Sequence, residues 1–203
     1  MKLLMIRHAQ TAGNLLRRYI GATDEPLCPE GVRAARAAAP AWRPEAVFIT
    51  PLLRTRQTAA IMFPDVPQVV VPALREMNFG RFEGRSAAEM EQDTAYRAWV
   101  DGGCTGACPD GESREEFCAR VCAGFAQTLR QRAASNAQRA VFVVHGGTIM
   151  AVLSRFARPE MEYYDGAVGN CRCVQCEAEF SDGALTLTRV QKLDAPAEWK
   201  GAK

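Results

Sequence analysis

Two short apolar runs in this chain each stop abruptly at a histidine. Leu3-Leu4-Met5-Ile6 leads through Arg7 to His8, and Val141-Phe142-Val143-Val144 leads to His145. Apolar at consecutive rather than alternate positions, both read as strands buried on two faces. The first is too short for a membrane span or a signal-peptide core. Ala46-Val47-Phe48-Ile49 and Val69-Val70-Val71 predict two more strands, and stretches near 172–179 and 185–191 predict a hairpin turned at Asp182-Gly183. Helical spacing occupies the intervals. It predicts helices over Gln10 to Arg18 and over Val32 to Trp42, the latter closed by Pro44. Another opens at Thr50 as cap with Pro51 in the first position, and another runs from Ser86 to Val100. A capping box at Ser113-Arg114-Glu115-Glu116 opens a helix that carries Phe117, Val121, Phe125 and Leu129 on one face, and a last helix is predicted from Thr148 to Phe156. Gly21 to Gly31, Leu74 to Gly84 and Asp101 to Glu112 are loops by their Gly, Pro and Asp content, the last either a cover for a pocket or a surface excursion. Strands alternating with helices predict an α/β fold, a three-layer sandwich of a mainly parallel sheet with helices on both faces, in a single domain over residues 1–203.

Composition narrows the class. At 48% hydrophobic and 24% charged the chain has an ordinary globular balance, and a net charge of +2 without a basic stripe argues against nucleic acid or membrane partners. Eight cysteines with no secretory leader point to a reducing, cytoplasmic setting. Cys171, Cys173 and Cys176 have the spacing of half a zinc site. The strand expected over 172–178 would instead send Cys173 and Cys176 to opposite faces, and no histidine is spare to complete a metal site. Cys118 and Cys122, four apart on a predicted helix, read as small core residues.

Open α/β sheets bind ligands beyond the carboxyl ends of their strands, so the only two histidines of the chain are expected to share one site. Arg7 and Arg54 fall at the same sheet edge, and Thr11 and Asn14 can face back toward it. Two imidazoles with two guanidiniums suit a phosphoryl group, whose oxygens need several cationic donors while a neutral nitrogen attacks.

Leu4-Met5-Ile6-Arg7-His8-Ala9-Gln10-Thr11 with Asn14, then Thr50-Pro51-Leu52-Leu53-Arg54-Thr55-Arg56-Gln57-Thr58-Ala59, and Val144-His145-Gly146-Gly147 resemble the histidine phosphatase superfamily, also called phosphoglycerate-mutase-like. The resemblance implies that His8 is the nucleophile that becomes phosphohistidine. It further implies that Arg7, Arg54 and His145 hold the phosphoryl oxygens with Asn14 and the Gly146 N–H, and that Glu76 is the proton donor. Thr11 and Gly21 complete the residues expected to bind substrate. Ala9 departs from the glycine usual in this motif. No metal or cofactor is called for.

Glu76-Met77-Asn78-Phe79-Gly80-Arg81-Phe82-Glu83-Gly84 and Pro109-Asp110-Gly111-Glu112-Ser113 are similar to the phosphatase branch, most of all to α-ribazole phosphatases. Phe82 stands where those have tryptophan, and Phe79 and Phe82 either wall a leaving-group pocket or pack in the core. The implied activity is metal-independent hydrolysis of a small phosphorylated metabolite, with α-ribazole 5′-phosphate the leading substrate. A cofactor-dependent phosphoglycerate mutase and a non-catalytic phospholigand-binding protein are the alternatives. Oligomeric state is left open.

Overall fold

A computed structural model describes residues 1–199. The expected domain over 1–203 therefore includes Lys200 to Lys203, which lie outside the described residues. A six-stranded sheet runs in the order β3-β2-β4-β1-β5-β6. Its strands are β1 (Lys2–Arg7), β2 (Val47–Ile49), β3 (Gln68–Val70), β4 (Arg139–Val144), β5 (Cys173–Ser181) and β6 (Ala184–Leu193). The first four pair in parallel, and β5 and β6 add an antiparallel hairpin.

The consecutive apolar residues of β1 divide between two cores because successive side chains leave a strand on opposite faces. Leu3 and Met5 join Phe142, Phe125 and Ile149 on one face, while Leu4 and Ile6 join Val141, Val143, Ala59 and Met62 on the other. Helices α5 (Arg114–Ala134) and α6 (Gly146–Phe156) cover the first face, and α2 (Pro29–Ala38) and α3 (Leu53–Met62) cover the second. Cys173 and Cys176 go to opposite faces, as the strand reading requires. Among the described residues no helix is long and apolar enough to cross a membrane.

Several predicted helices move. The one expected over Gln10–Arg18 contracts to α1 (Ala12–Leu15), because Arg17 takes a positive φ of 53° and the chain turns away to bridge Arg18 to Ser86. The helix expected over Val32–Trp42 shifts earlier, capped by the Cys28 sulfur and stopped before Pro40, whose ring disfavours helix at the residue preceding it. Thr50 caps nothing: α3 begins after Leu52, which makes no side-chain cap, and the Thr50 hydroxyl is used elsewhere. Ser86–Val100 holds a 3-10 turn (Ala88–Met90) and then α4 (Thr94–Asp101), because Asp93 accepts from the Ala95 and Tyr96 N–H groups and starts a new helix there. The last helix begins at Gly146, two residues earlier than expected.

Phe142 is fully buried, with its ring 5.0 Å from both Phe48 and Phe125. Phe142→Ala should therefore cost about 3–5 kcal/mol of unfolding free energy in a denaturant titration. Ser113→Ala, which removes the α5 cap, should cost about 1 kcal/mol in the same measurement.

Candidate active site

The site begins with the pairing of β1 and β4. Arg7 lies opposite Val144, and the His8 N–H donates to the Val144 carbonyl at 2.9 Å, so both strands end together. The His8 and His145 rings stand 5.2 Å apart, edge to face, and both are buried. His8 Nδ1 is 2.7 Å from the Ala9 carbonyl. A carbonyl only accepts, so Nδ1 carries the proton and Nε2 keeps a free lone pair. Burial, reinforced by Arg54 and Arg7, pushes the His8 pKa well below the ordinary imidazole value. Ala9 has no positive φ and its methyl packs among core residues, so the backbone does not require glycine there.

Arg7 donates through one terminal nitrogen to the Val168 carbonyl at 2.8 Å, while its buried Nε has no hydrogen-bond partner among the described residues. An orphaned buried donor costs on the order of 1–3 kcal/mol, so this one is poised for an acceptor. Arg54 is fully buried. It donates to the Thr23 and Gly21 carbonyls at 2.7 and 2.8 Å, and its Nε points to His145 Nδ1 at 3.3 Å. The other His145 nitrogen meets Thr50 Oγ1 at 3.0 Å.

Glu76 reaches the start of α6, accepting from the Gly147 N–H at 2.9 Å and from its neighbour Met77 at 3.1 Å. Desolvation raises its pKa against the opposing pull of those donors, Arg54 and Arg7. A carboxyl so placed can hold a proton above the ordinary carboxylate range. A methyl at Gly147 would overlap Glu76 Oε1, which is why glycine stands there beside the carboxylate, whereas a methyl at Gly146 would press on the Arg7 guanidinium.

Three supporting groups were not visible as such in the sequence. Glu83 accepts from the N–H groups of Gly21, Ala22, Thr23 and Phe79 and from the Thr23 hydroxyl. Glu112 pairs bidentately with Arg120 at 2.7 and 2.8 Å, and Arg120 also donates to the carbonyls of Ala73, Arg75 and Glu76, bracing the segment that carries Glu76. Asn170 donates to the His8 carbonyl and to Asn14 Oδ1. Only the carboxylates within glycine-rich loops hinted at any of this.

A cavity of about 340 Å³ has Arg7, Asn14, Glu76, Gly146 and Gly147 on one side, while His8, His145 and Arg54 are buried and do not line it. Tyr19, Phe79, Trp99, Tyr163 and Tyr164 form much of the remaining wall. Cys104, from the predicted 101–112 loop, reaches this wall. Phe79 is thus a wall residue, whereas Phe82 is core, packed against Tyr96 and Trp99. Thr11 and Gly21 stand outside the lining: the Thr11 hydroxyl caps α1, and Gly21 is pressed against the Met77 carbonyl.

Glu83→Gln should lower unfolding free energy by about 1–3 kcal/mol, because it turns an acceptor into a donor facing N–H groups. The accompanying signature is faster amide exchange at Gly21 to Thr23. Gly147→Ala should displace the Glu76 carboxylate and lower turnover, with little change in melting temperature.

A sequence profile of the histidine phosphatase superfamily (branch 1) matches residues 3–192. A probable phosphoglycerate mutase GpmB of Enterobacter sp. is 32% identical over 161 residues, covering 76% of this chain and 74% of that protein. An adenosylcobalamin/α-ribazole phosphatase of Salmonella typhimurium is 30% identical over 162 residues, covering 76% and 79%. The crystal structure of an α-ribazole phosphatase from Shigella flexneri superposes with a TM-score of 0.78 at 24% identity, covering 96% of this chain and 98% of that one, a likeness of fold. With the profile running from β1 to β6 over both strand-end histidines, this chain belongs to the histidine phosphatase superfamily, branch 1.

Proposed function

We propose that the chain is a phosphomonoester phosphatase that works through phosphohistidine at His8, on a small ester whose alcohol carries a flat aromatic group. The observation that carries this reading is the aromatic wall beside Glu76. At about 340 Å³ the cavity suits a small molecule, and its outer wall offers rings for stacking. The two arginines on that side have other partners. Arg18 pairs with Glu89 at 2.8 Å, and Arg114 donates to the Gly103 carbonyl and the Tyr164 hydroxyl. The Arg18 charge is answered by a carboxylate and the Arg114 guanidinium lies over the Tyr163 and Tyr164 rings, a wall better suited to a flat aromatic group than to a phosphoglycerate carboxylate, which favours phosphatase over mutase. The Salmonella relative is named for α-ribazole, and α-ribazole 5′-phosphate, whose benzimidazole is flat and apolar, is the substrate proposed.

In the reaction proposed, two displacements occur at phosphorus. His8 Nε2 attacks phosphorus in line, and the P–O bond to the leaving alcohol breaks as Glu76 gives that oxygen its proton. Water then enters, Glu76 takes its proton, the hydroxide oxygen bonds phosphorus, and the P–N bond breaks to release inorganic phosphate and free His8. Arg7 Nε, Arg54, His145, Asn14 and the Gly146 N–H supply charge and hydrogen bonds to the phosphoryl oxygens. Every group in this scheme belongs to the chain itself.

Phosphate release from α-ribazole 5′-phosphate, 3-phosphoglycerate, sugar phosphates, nucleotides and p-nitrophenyl phosphate tests the reading. A kcat/KM for α-ribazole 5′-phosphate well above the others supports it. Conversion of 3-phosphoglycerate to 2-phosphoglycerate in an enolase-coupled assay, without phosphate release, would replace it with a mutase. His8→Ala should abolish both turnover and acid-labile phosphorylation of the protein. Glu76→Gln should lower kcat by about 10²–10⁴-fold on alkyl esters and less on p-nitrophenyl phosphate, whose leaving group needs little protonation.

The free-enzyme pH profile follows from the two shifts. His8 is neutral down to pH values well below the usual imidazole range, and Glu76 keeps its proton above the usual carboxylate range. kcat/KM should therefore fall on the acid side as His8 protonates and on the alkaline side as Glu76 ionises. Glu76→Gln should remove the alkaline limb and spare the acid one.

A further inference from the structure

The hydrogen bonds around His145 decide which ring nitrogen carries its proton. Arg54 Nε lies 3.3 Å from Nδ1, and a guanidinium nitrogen can only donate, so Nδ1 presents a lone pair. Nε2 lies 3.0 Å from Thr50 Oγ1, which lies 2.9 Å from Thr55 Oγ1. The Thr55 hydroxyl has the Leu52 and Thr50 carbonyls to donate to, at 2.9 and 3.1 Å. Each link then runs one way, from Nε2–H to Thr50, from the Thr50 hydroxyl to Thr55, and from Thr55 to a backbone carbonyl. The reverse direction would set Nδ1–H against the Arg54 Nε–H, two buried donors face to face. His8 is held in the opposite tautomer, with its proton on Nδ1.

Nε2 of His145 is thus committed to the threonines at the start of α3, and the nitrogen on the Arg54 side is Nδ1. A phosphoryl oxygen is an acceptor, and so is Nδ1 in the free protein. The two can meet only if Nδ1 gains a proton and the Arg54 Nε–H, which donates to Nδ1 in the free protein, turns to the entering oxygens with it. Burial, Arg54, His8, Arg7 and Arg120 all disfavour that proton in the free protein. A dianion placed among these groups acts in the opposite sense, because a nearby negative charge favours the imidazolium.

We propose, resting on the phosphatase reading above, that entry of a tetrahedral dianion drives one proton onto His145 Nδ1, and that Thr50 and Thr55 are the positioning residues that prepare it. The N–H bond forms with a proton from solvent, or from the ester when that binds as a monoanion. The proton leaves again when inorganic phosphate departs. Binding would then place one added positive charge beside the phosphoryl group, in a position held neutral while the site is unliganded.

The chain has only two histidines, so nitrogen-15 labelling of histidine reads both rings without ambiguity. At neutral pH the free protein should show His145 protonated at Nε2 and His8 at Nδ1. Saturating tungstate, a tetrahedral dianion that does not titrate near neutrality, should make His145 doubly protonated. The same result in Glu76→Gln would separate this proton from one taken up by the carboxylate. Thr50→Val should lower kcat by roughly 10–100-fold, as loss of an orienting partner of a functional histidine does, and should mix the His145 tautomers. Thr50→Ser should restore both readouts. A His145 protonated at Nδ1 in the free protein, or neutral in the tungstate complex, overturns the proposal. So does a Thr50→Val protein with wild-type kcat and an unmixed Nε2–H tautomer. Correct tautomers with no phosphate released from any ester would instead defeat the phosphatase reading, so the two failures are distinct.

Discussion

Arg54 is a guanidinium with no exposure to solvent, and the site depends on how that charge is compensated. An unpaired buried cation costs several kcal/mol, and the usual remedy is a carboxylate in contact. Among the described residues no carboxylate touches it. Arg54 donates to the carbonyl face of residues 20–23, and Glu83 accepts from the N–H face of the neighbouring peptides. The peptide groups stand between the two charges, their dipoles aligned with both. Gly21 lies so close to the Met77 carbonyl that no side chain fits, which lets this strip of backbone thread between its two anchors.

The same logic repeats around Glu76. Its carboxyl is held by the Gly147 N–H at the start of α6 and by the Met77 N–H, and its own backbone is held by Arg120, which Glu112 orients. The groups proposed to meet the phosphoryl oxygens are therefore placed by other buried charges and by main-chain dipoles, not by packing alone. Such a network is rigid because removing any one partner leaves another polar group buried and unpaired. Positioning of this kind is what phosphoryl transfer chiefly demands of a protein.

The electrostatics also divide labour between two chemically identical side chains. His8 and His145 sit 5.2 Å apart under the same burial and the same arginines, and both are driven toward the neutral form. What separates them is hydrogen bonding. One is tied at Nδ1 to a carbonyl and keeps the lone pair of Nε2 free; the other is tied at Nε2 to a threonine pair and faces Arg54 with the remaining nitrogen.

Much of this was legible in the residues alone. Consecutive apolar positions in β1 and β4 mean burial on both faces, two-sided burial means the middle of a parallel sheet, and such strands deliver whatever follows them to one edge. Arg7, His8, Arg54 and His145 could be brought together on that reasoning, and the family motifs added Glu76. The capping box at Ser113 was equally local and equally readable. By contrast, the sequence made Thr50 a helix cap, and folding gave its hydroxyl to a histidine far along the chain. Phe79 and Phe82 looked alike, yet one lines the cavity and the other packs in the core. Arg120 and Asn170 carried no local signal, and Glu83 and Glu112 only that of carboxylates in glycine-rich loops, because their partners lie on other elements and a hydrogen bond across the fold leaves no periodicity. The sequence by itself determined which side chains reach the sheet edge, since strand burial is written in neighbouring residues; only the tertiary structure decided how each is held, protonated and aimed, since those depend on groups that meet only after folding.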